Sequence, residues 1–329
     1  MIQSINFPIS TYSIEPYGSW DRLAGQLRGL GLDGIEGILD PDDMDPSFPH
    51  SLLAGYHMIF YPDWLDFYRQ NTSELIRKFG SMEMVGRFYR GTRPEDLMQQ
   101  FRNDLAYAVS LETPYVVFHV SDVSLEETYT YRWLHTDKEV LDGAIEFIND
   151  LLRDVEPTFD FLVENQWWPG FTFTEPEKTE YLLSGIEYPR VGIMLDTGHL
   201  MNNNRRIRTQ KQRADYILDM IRSHGELSKR ILGMHFHQSV SGSYVRKNTG
   251  KVPDNFPEDY FEAFAVQYAH ILMIDRHRPW TYPGCVRIID EVCPKYLTHE
   301  LSSGPGRTQL TAVRRQLDTI RKGRAGVIR

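Results

Sequence analysis

A chain of 329 residues, 41% hydrophobic and 25% charged, has enough apolar material for a sizeable buried core without staples. Its net charge of −9 and pI of about 5.7 argue against nonspecific nucleic-acid binding. The two cysteines, Cys285 and Cys293, are too few for a disulfide framework or a four-cysteine zinc site and read as packing residues.

In chain order, short apolar runs read as strands at 2–7, 34–38, 52–57, 115–119, 159–164, 191–196, 231–235 and 296–300. Helical patterns fall between them, near 18–30, 94–110, 137–154, 176–184, 208–224, 283–291 and 307–322. The alternation predicts a parallel α/β sheet, either closed or doubly wound. Where the polar residues fall decides between the two. Six runs end in an imidazole or a carboxylate: His57, His119, Glu164, Asp196, His235 and Glu300. A closed barrel gathers its strand ends into one ring, whereas an open sheet spreads them along a line. The expected fold is therefore a (β/α)₈ TIM barrel, one domain over 1–329.

Three connections exceed a minimal loop. The segment 62–93, after strand three, is rich in aromatic and basic residues, 201–213 is strongly basic, and 238–274, after strand seven, carries an apolar helix-like stretch at 257–274. Long loops after strands three and seven are candidate lids. In the basic C-terminal stretch, Leu310, Val313, Leu317 and Ile320 keep helical spacing, which predicts a closing helix with a solvated basic face. The first residues, MIQSINFPIS, lack a basic, apolar leader, and no run approaches the roughly 18 apolar residues of a membrane span. A cytoplasmic protein with no membrane attachment is expected.

The chemistry concentrates in a few motifs. In FLVENQWW, Glu164 follows three apolar strand residues, where an unpaired carboxylate is costly. It reads as a ligand or catalytic group, or else as an internal salt bridge. In VGIMLDTGHLM, the strand delivers Asp196 and the turn returns His199, a pair that can grip metal; the plainer alternative is Asp196 capping the next helix. In LGMHFHQS, His235 and His237 share one face of a strand, with His235 preferred as ligand and His237 as a substrate contact. Glu300 ends the last strand, and its neighbour His299 points the other way. His57 and His119 alone would pass for satisfied core histidines, and the Asp275–His277 pair for a turn. Together, imidazoles and carboxylates without thiolates suit Zn²⁺ or Mn²⁺ rather than Ca²⁺. No Gly-rich nucleotide loop and no GxSxG elbow is present.

From the GIE at Gly34 to Glu300, through ENQ at Glu164, LDTGH at Asp196, GMHFH at His235 and HEL at Glu300, the sequence resembles the xylose isomerase-like TIM-barrel superfamily. That superfamily includes sugar phosphate isomerases and epimerases, and the endonuclease IV-like proteins of AP endonuclease family 2. Resemblance to the epimerases implies one divalent metal on Glu164, Asp196, His235 (or His237) and Glu300, with Glu164 and Glu300 as the catalytic acid/base pair. Resemblance to the endonuclease IV-like members implies nine ligands for up to three ions: His57, His119, Glu164, Asp196, His199, His235, Asp275, His277 and Glu300. Two departures from that second pattern are the long stretch between His235 and Asp275 and the SINFPIS opening. The expected function is a metal-dependent isomerase or epimerase of a small sugar, polyol or sugar phosphate, with a multinuclear phosphoester hydrolase as the alternative. Trp167 and Trp168 could pack on a sugar face, and Arg246 or the Arg87/Arg90 pair could hold an acidic group. The implied partners are a carbohydrate-like small molecule and, in an oligomer, further copies of the chain.

Overall fold

The apolar runs become the strands of one closed parallel sheet. The computed structural model describes residues 1–40, 42–302 and 308–327. Its barrel runs in sequence order through β1 (Ile2–Ile9), β2 (Gly34–Leu39), β3 (Leu53–His57), β4 (Tyr115–His119), β5 (Asp160–Glu164), β6 (Val191–Asp196), β7 (Ile231–His235) and β8 (Tyr296–His299), with β8 closing onto β1. The strands are buried on both faces, which is why they read as continuous apolar runs. Helices pack around them.

Helix starts follow local chemistry. Ser19, Thr136, Thr209 and Asp259 each cap a helix by accepting a backbone N–H of its first turn. The closing helix Gln309–Val327 buries Leu310, Val313, Leu317 and Ile320, as their spacing predicts; position 307, where the predicted stretch began, lies outside the described residues. Among the described residues, no helix is long and apolar enough to cross a membrane.

The long connections hold more structure than expected. Segment 62–93 folds into three short helices, Leu65–Tyr68, Thr72–Phe79 and Met82–Phe88. Each is shorter than the window over which helical periodicity becomes visible, so the sequence read as loop. The basic stretch 201–213 winds around Arg213, whose buried guanidinium donates to the carbonyls of Met201, Asn204 and Ile207. After β7, the helix Tyr260–Ile274 lies over the barrel mouth. Of the cysteines, Cys285 is buried, but Cys293 is exposed at a helix end and is not a packing residue.

Candidate metal centre

Strand register sets which side chains face the mouth. His119 on β4 pairs in register with Glu164 on β5, and Asp196 on β6 with His235 on β7. Register neighbours point the same way, so each pair arrives side by side. Glu300 follows β8 directly. His199 returns on the short helix Thr197–Asn202, whose N-cap is Asp196 itself: its Oδ1 accepts the His199 N–H at 2.6 Å. The cap and ligand readings of Asp196 are therefore compatible, because its other oxygen stays free for the cluster.

The nine expected ligands converge as overlapping groups. His57 Nε2, His119 Nε2 and Glu164 Oε2 lie 3.1–3.3 Å from one another. On the opposite side, Asp275 Oδ2 is 3.1 Å from both His199 Nε2 and His277 Nε2. Between them, His235 Nδ1 sits 3.3 Å from Glu300 Oε2, 3.5 Å from Glu164 Oε2 and 3.7 Å from Asp196 Oδ2. Donor atoms about 2.1 Å from one ion are about 3.0–3.4 Å apart at the corners of an octahedron or tetrahedron. The flanking groups already have that spacing, and the central one is slightly wider.

Glu164 joins the groups. Its Oε2 faces His57 and His119, while its Oε1 lies 3.0 Å from His199 Nδ1. Burial alone would raise the carboxyl pKa of Glu164, Asp196 and Asp275, but the surrounding histidines outweigh it and hold all three below the usual range. Conversely, burial would strip protons from His199, His235 and His277, yet the facing carboxylates raise all three, His277 to about 9. His119 differs: burial wins and its pKa falls. The centre is a dense set of carboxylates that needs positive charge, from protons or from a cation. Glu164 Oε2, His235 Nδ1 and Glu300 Oε2 are buried without a hydrogen-bond partner. Orphaned donor atoms at polyhedral spacing fit divalent metal.

Two supporting residues carried little sequence signal. Glu36, a carboxylate inside the apolar run GIEGIL, is 1% exposed within the barrel and places Oε1 2.9 Å from His235 Nε2. Tyr115 and Thr298 donate to its other oxygen. Tyr115 occupies space that opens only because residue 55 is glycine, where a Cβ would meet the ring at 1.9 Å. Ser239 donates to Asp275 Oδ1 at 2.7 Å. The signal for Glu36 was its charge in the middle of a buried strand.

The remaining expected contacts divide. Trp167 and Trp168 line a cavity of about 540 Å³ above the cluster. His237 is fully buried outside that lining, with Nε2 2.9 Å from Asp196 Oδ2 and 3.7 Å from Glu300 Oε2. It joins the carboxylate cluster rather than the cavity wall. Arg246 is also outside the lining and donates to the Arg205 carbonyl. Arg90 pairs with Asp42, and Arg87 lies over the Phe261 ring. None of these three guanidinium groups is placed to hold a substrate anion in the cavity.

A family model for the xylose isomerase-like TIM barrel matches residues 25–320. No protein of curated function matches significantly. Among solved structures, a candidate xylose isomerase from Rhodospirillum rubrum superposes with a TM-score of 0.52 at 14% identity, over 99% of each chain. A xylose isomerase-like TIM barrel protein from Mycobacterium smegmatis, in complex with magnesium, gives 0.49 at 13% identity over 98% of this chain and 96% of that one. Endonuclease IV from Thermus thermophilus gives 0.49 at 15% identity over 98% of this chain and all of its own. Likeness at such identities speaks for the fold alone. The chain belongs to the xylose isomerase-like TIM barrel family.

Proposed function

From that membership and the donor geometry, we propose that this protein is a multinuclear-metal phosphoester hydrolase acting on a small substrate. The observation that carries the reading is the completeness of both flanking groups, His57 and His119 with Glu164, and His199 with Asp275 and His277, beside a central group that also contains Glu164. An isomerase working by proton transfer needs only Glu164, Asp196, His235 and Glu300. It also needs Glu164 free to carry a proton, whereas both Glu164 oxygens face histidines.

Glu164, Asp196, His235 and Glu300 would hold one ion, and each flanking group another; Zn²⁺ and Mn²⁺ suit the donors. Such ions supply an activated water and charge stabilisation for a phosphoryl group. The chain's own residues set the rest. Glu164 belongs to the His57–His119 group and to the central one, and its other oxygen meets His199 Nδ1, so the groups stand side by side at the mouth. Phe60, with its ring 4.4 Å from that of His119, and Trp167, 4.9 Å from His199, wall the two flanks and exclude bulk water. Glu300 borders the cavity and faces His235, His237 and His277, so it completes the ligand set at the end of β8. The helix Tyr260–Ile274 over the mouth favours a small phosphoester over a duplex.

The isomerase or epimerase reading stays second, supported by Glu164 and Glu300 both facing Nδ1 of His235. One experiment separates the two: a metal count on protein purified without chelator, paired with assays of p-nitrophenyl phosphoesters and of ketose epimerisation. Two or three ions with phosphoester cleavage support hydrolysis. One ion with ketose turnover overturns it.

A further inference from the structure

The wall of the cavity differs in chemistry from its floor. Above the metal ligands it is made largely of rings and aliphatic chains, among them Phe60, Phe88, Trp168, Phe264, Tyr268 and Leu272. No lysine or arginine is among its described lining residues. Most of this wall comes from the long connections after β3 and β7, so the same fold with short loops would lack it.

Among the polar side chains in this lining, two stand out as buried without a partner. Gln267, on the helix Tyr260–Ile274, lines the cavity at 1% exposure, and neither its Oε1 nor its Nε2 has a hydrogen-bond partner. The indole N–H of Trp168, in the same lining, is also buried and unpaired, whereas that of Trp167 faces the Tyr131 hydroxyl. Leaving a buried donor or acceptor unmet costs about 1–3 kcal/mol. Their grouping in one cavity points to a ligand that meets them. A primary carboxamide offers one acceptor and one donor in a single plane, which matches the N–H and C=O of another amide edge. Aromatic walls favour a flat body, by stacking or edge contacts.

We propose that the substrate carries an uncharged planar ring with an amide-type edge, a lactam or carboxamide, and that Gln267 reads that edge. Gln267 is a specificity residue here and takes no part in bond breaking. The inference rests on the hydrolase reading only in placing the reactive group over the carboxylate cluster. The ring site stands whether one ion or three are bound.

The test is binding to the protein as purified, followed by saturation-transfer NMR with defined probes. Benzamide and 2-pyridone carry both ring and amide edge. Benzyl alcohol lacks the amide, acetamide lacks the ring, and ribose 5-phosphate is the charged sugar control. The expected order places benzamide and 2-pyridone about tenfold or more above benzyl alcohol and acetamide, the worth of one well-made hydrogen-bond pair. Gln267→Leu should erase the preference over benzyl alcohol while leaving benzyl alcohol itself within about twofold. Gln267→Glu, nearly the same shape, should move the preference to the cation benzamidine. Benzamide binding no tighter than benzyl alcohol or acetamide overturns the proposal, as does an amide preference that survives both variants; ribose 5-phosphate binding reports on the carboxylate and histidine cluster instead. A metal count on the same samples reports separately on the hydrolase reading.

Discussion

Glu36→Gln tests whether the barrel interior tunes the metal centre. Glu36 sits behind His235, with Oε1 2.9 Å from Nε2, while Nδ1 of the same ring faces Glu164, Asp196 and Glu300. A carboxylate behind a ligating imidazole fixes its tautomer and strengthens it as a donor. Losing such a partner costs about 10–100-fold in metal affinity, or about 1.4–2.8 kcal/mol. Glutamine keeps the shape. Its carbonyl can accept from His235, and the Tyr115 and Thr298 hydroxyls can turn to accept from its amide, so the variant should fold. Glu36→Leu would leave those hydroxyls and the imidazole N–H unmet, at about 1–3 kcal/mol each, and should melt clearly lower. The assay is metal content across a buffered chelator series, read beside Tm. A Glu36→Gln protein that melts like wild type but gives up its most weakly protected ion at about 10–100-fold lower chelator strength is the expected result. Affinity within twofold of wild type in a folded variant refutes the reasoning.

Further expectations bear on the centre and its surroundings. Because Glu164 belongs to the His57–His119 group and to the central one, Glu164→Gln should release more than one ion per chain, whereas His57→Ala should release one; equal losses by elemental analysis would count against a shared carboxylate. A Cβ on Gly198 would lie 2.0 Å from His237 Cε1, so Gly198→Ala should displace that ring from Asp196 and lower metal content; unchanged content would contradict the packing. Lys78 is buried between Asp63 and Asp66, 2.7 Å from each, with Asp122 nearby. Lys78→Met leaves uncompensated buried carboxylates and should destabilise the fold by about 3–5 kcal/mol, seen in urea unfolding. Burial raises the Asp63 carboxyl to about 7, despite Lys78. A raised folded-state pKa means that the folded state holds the proton longer than the unfolded chain does. Asp63 therefore favours the fold most at low pH, and its contribution falls as pH rises from about 4 to about 7. The stability of wild type relative to Asp63→Asn should decline across that window, and a flat difference would exclude this assignment.

The barrel and its ring of polar strand ends were legible because both follow from local pattern. A strand buried on both faces has to be apolar throughout, so a terminal His, Asp or Glu stands out against its own run. The same reasoning located Glu164, Asp196, His235 and Glu300 without any knowledge of what faces them. His57, His119, Asp275 and His277 were weak individually, since a lone histidine in an apolar run is usually a satisfied core residue. Only the long-range geometry makes them a set. The orphaned carboxamide of Gln267 left no trace in the sequence, because a glutamine within YFEAFAVQYAHILMI reads as a helix residue with no special role. Arg246 shows the opposite failure: its charge suggested an anion site, but its guanidinium is used on the backbone of Arg205.

Which histidine reaches the mouth depends on a feature that no periodicity reveals. Between β6 and β7 the register begins with Ile193 opposite Ile231, which, continued, would set Asp196 opposite Met234. The pairing instead skips Leu232, so Met194 meets Gly233 and Asp196 meets His235. The same happens between β2 and β3, where Ile35 faces Leu53 but Glu36 faces Gly55, bringing His57 rather than Tyr56 opposite Ile38. Side chains alternate at every residue, so a one-residue slip turns a ligand outward and a core residue inward. Each irregularity thus exchanges an apolar or aromatic neighbour for a ligand at the strand end. Removing Leu232 by deletion would give unbroken pairing from Ile231 onward while leaving His235 opposite Asp196. The protein should keep a closed barrel, because β7 stays apolar on both faces, and should keep the central ion. Loss of the central ion from a folded deletion variant would show that the pairing of His235 with Asp196 is not what places the ligand.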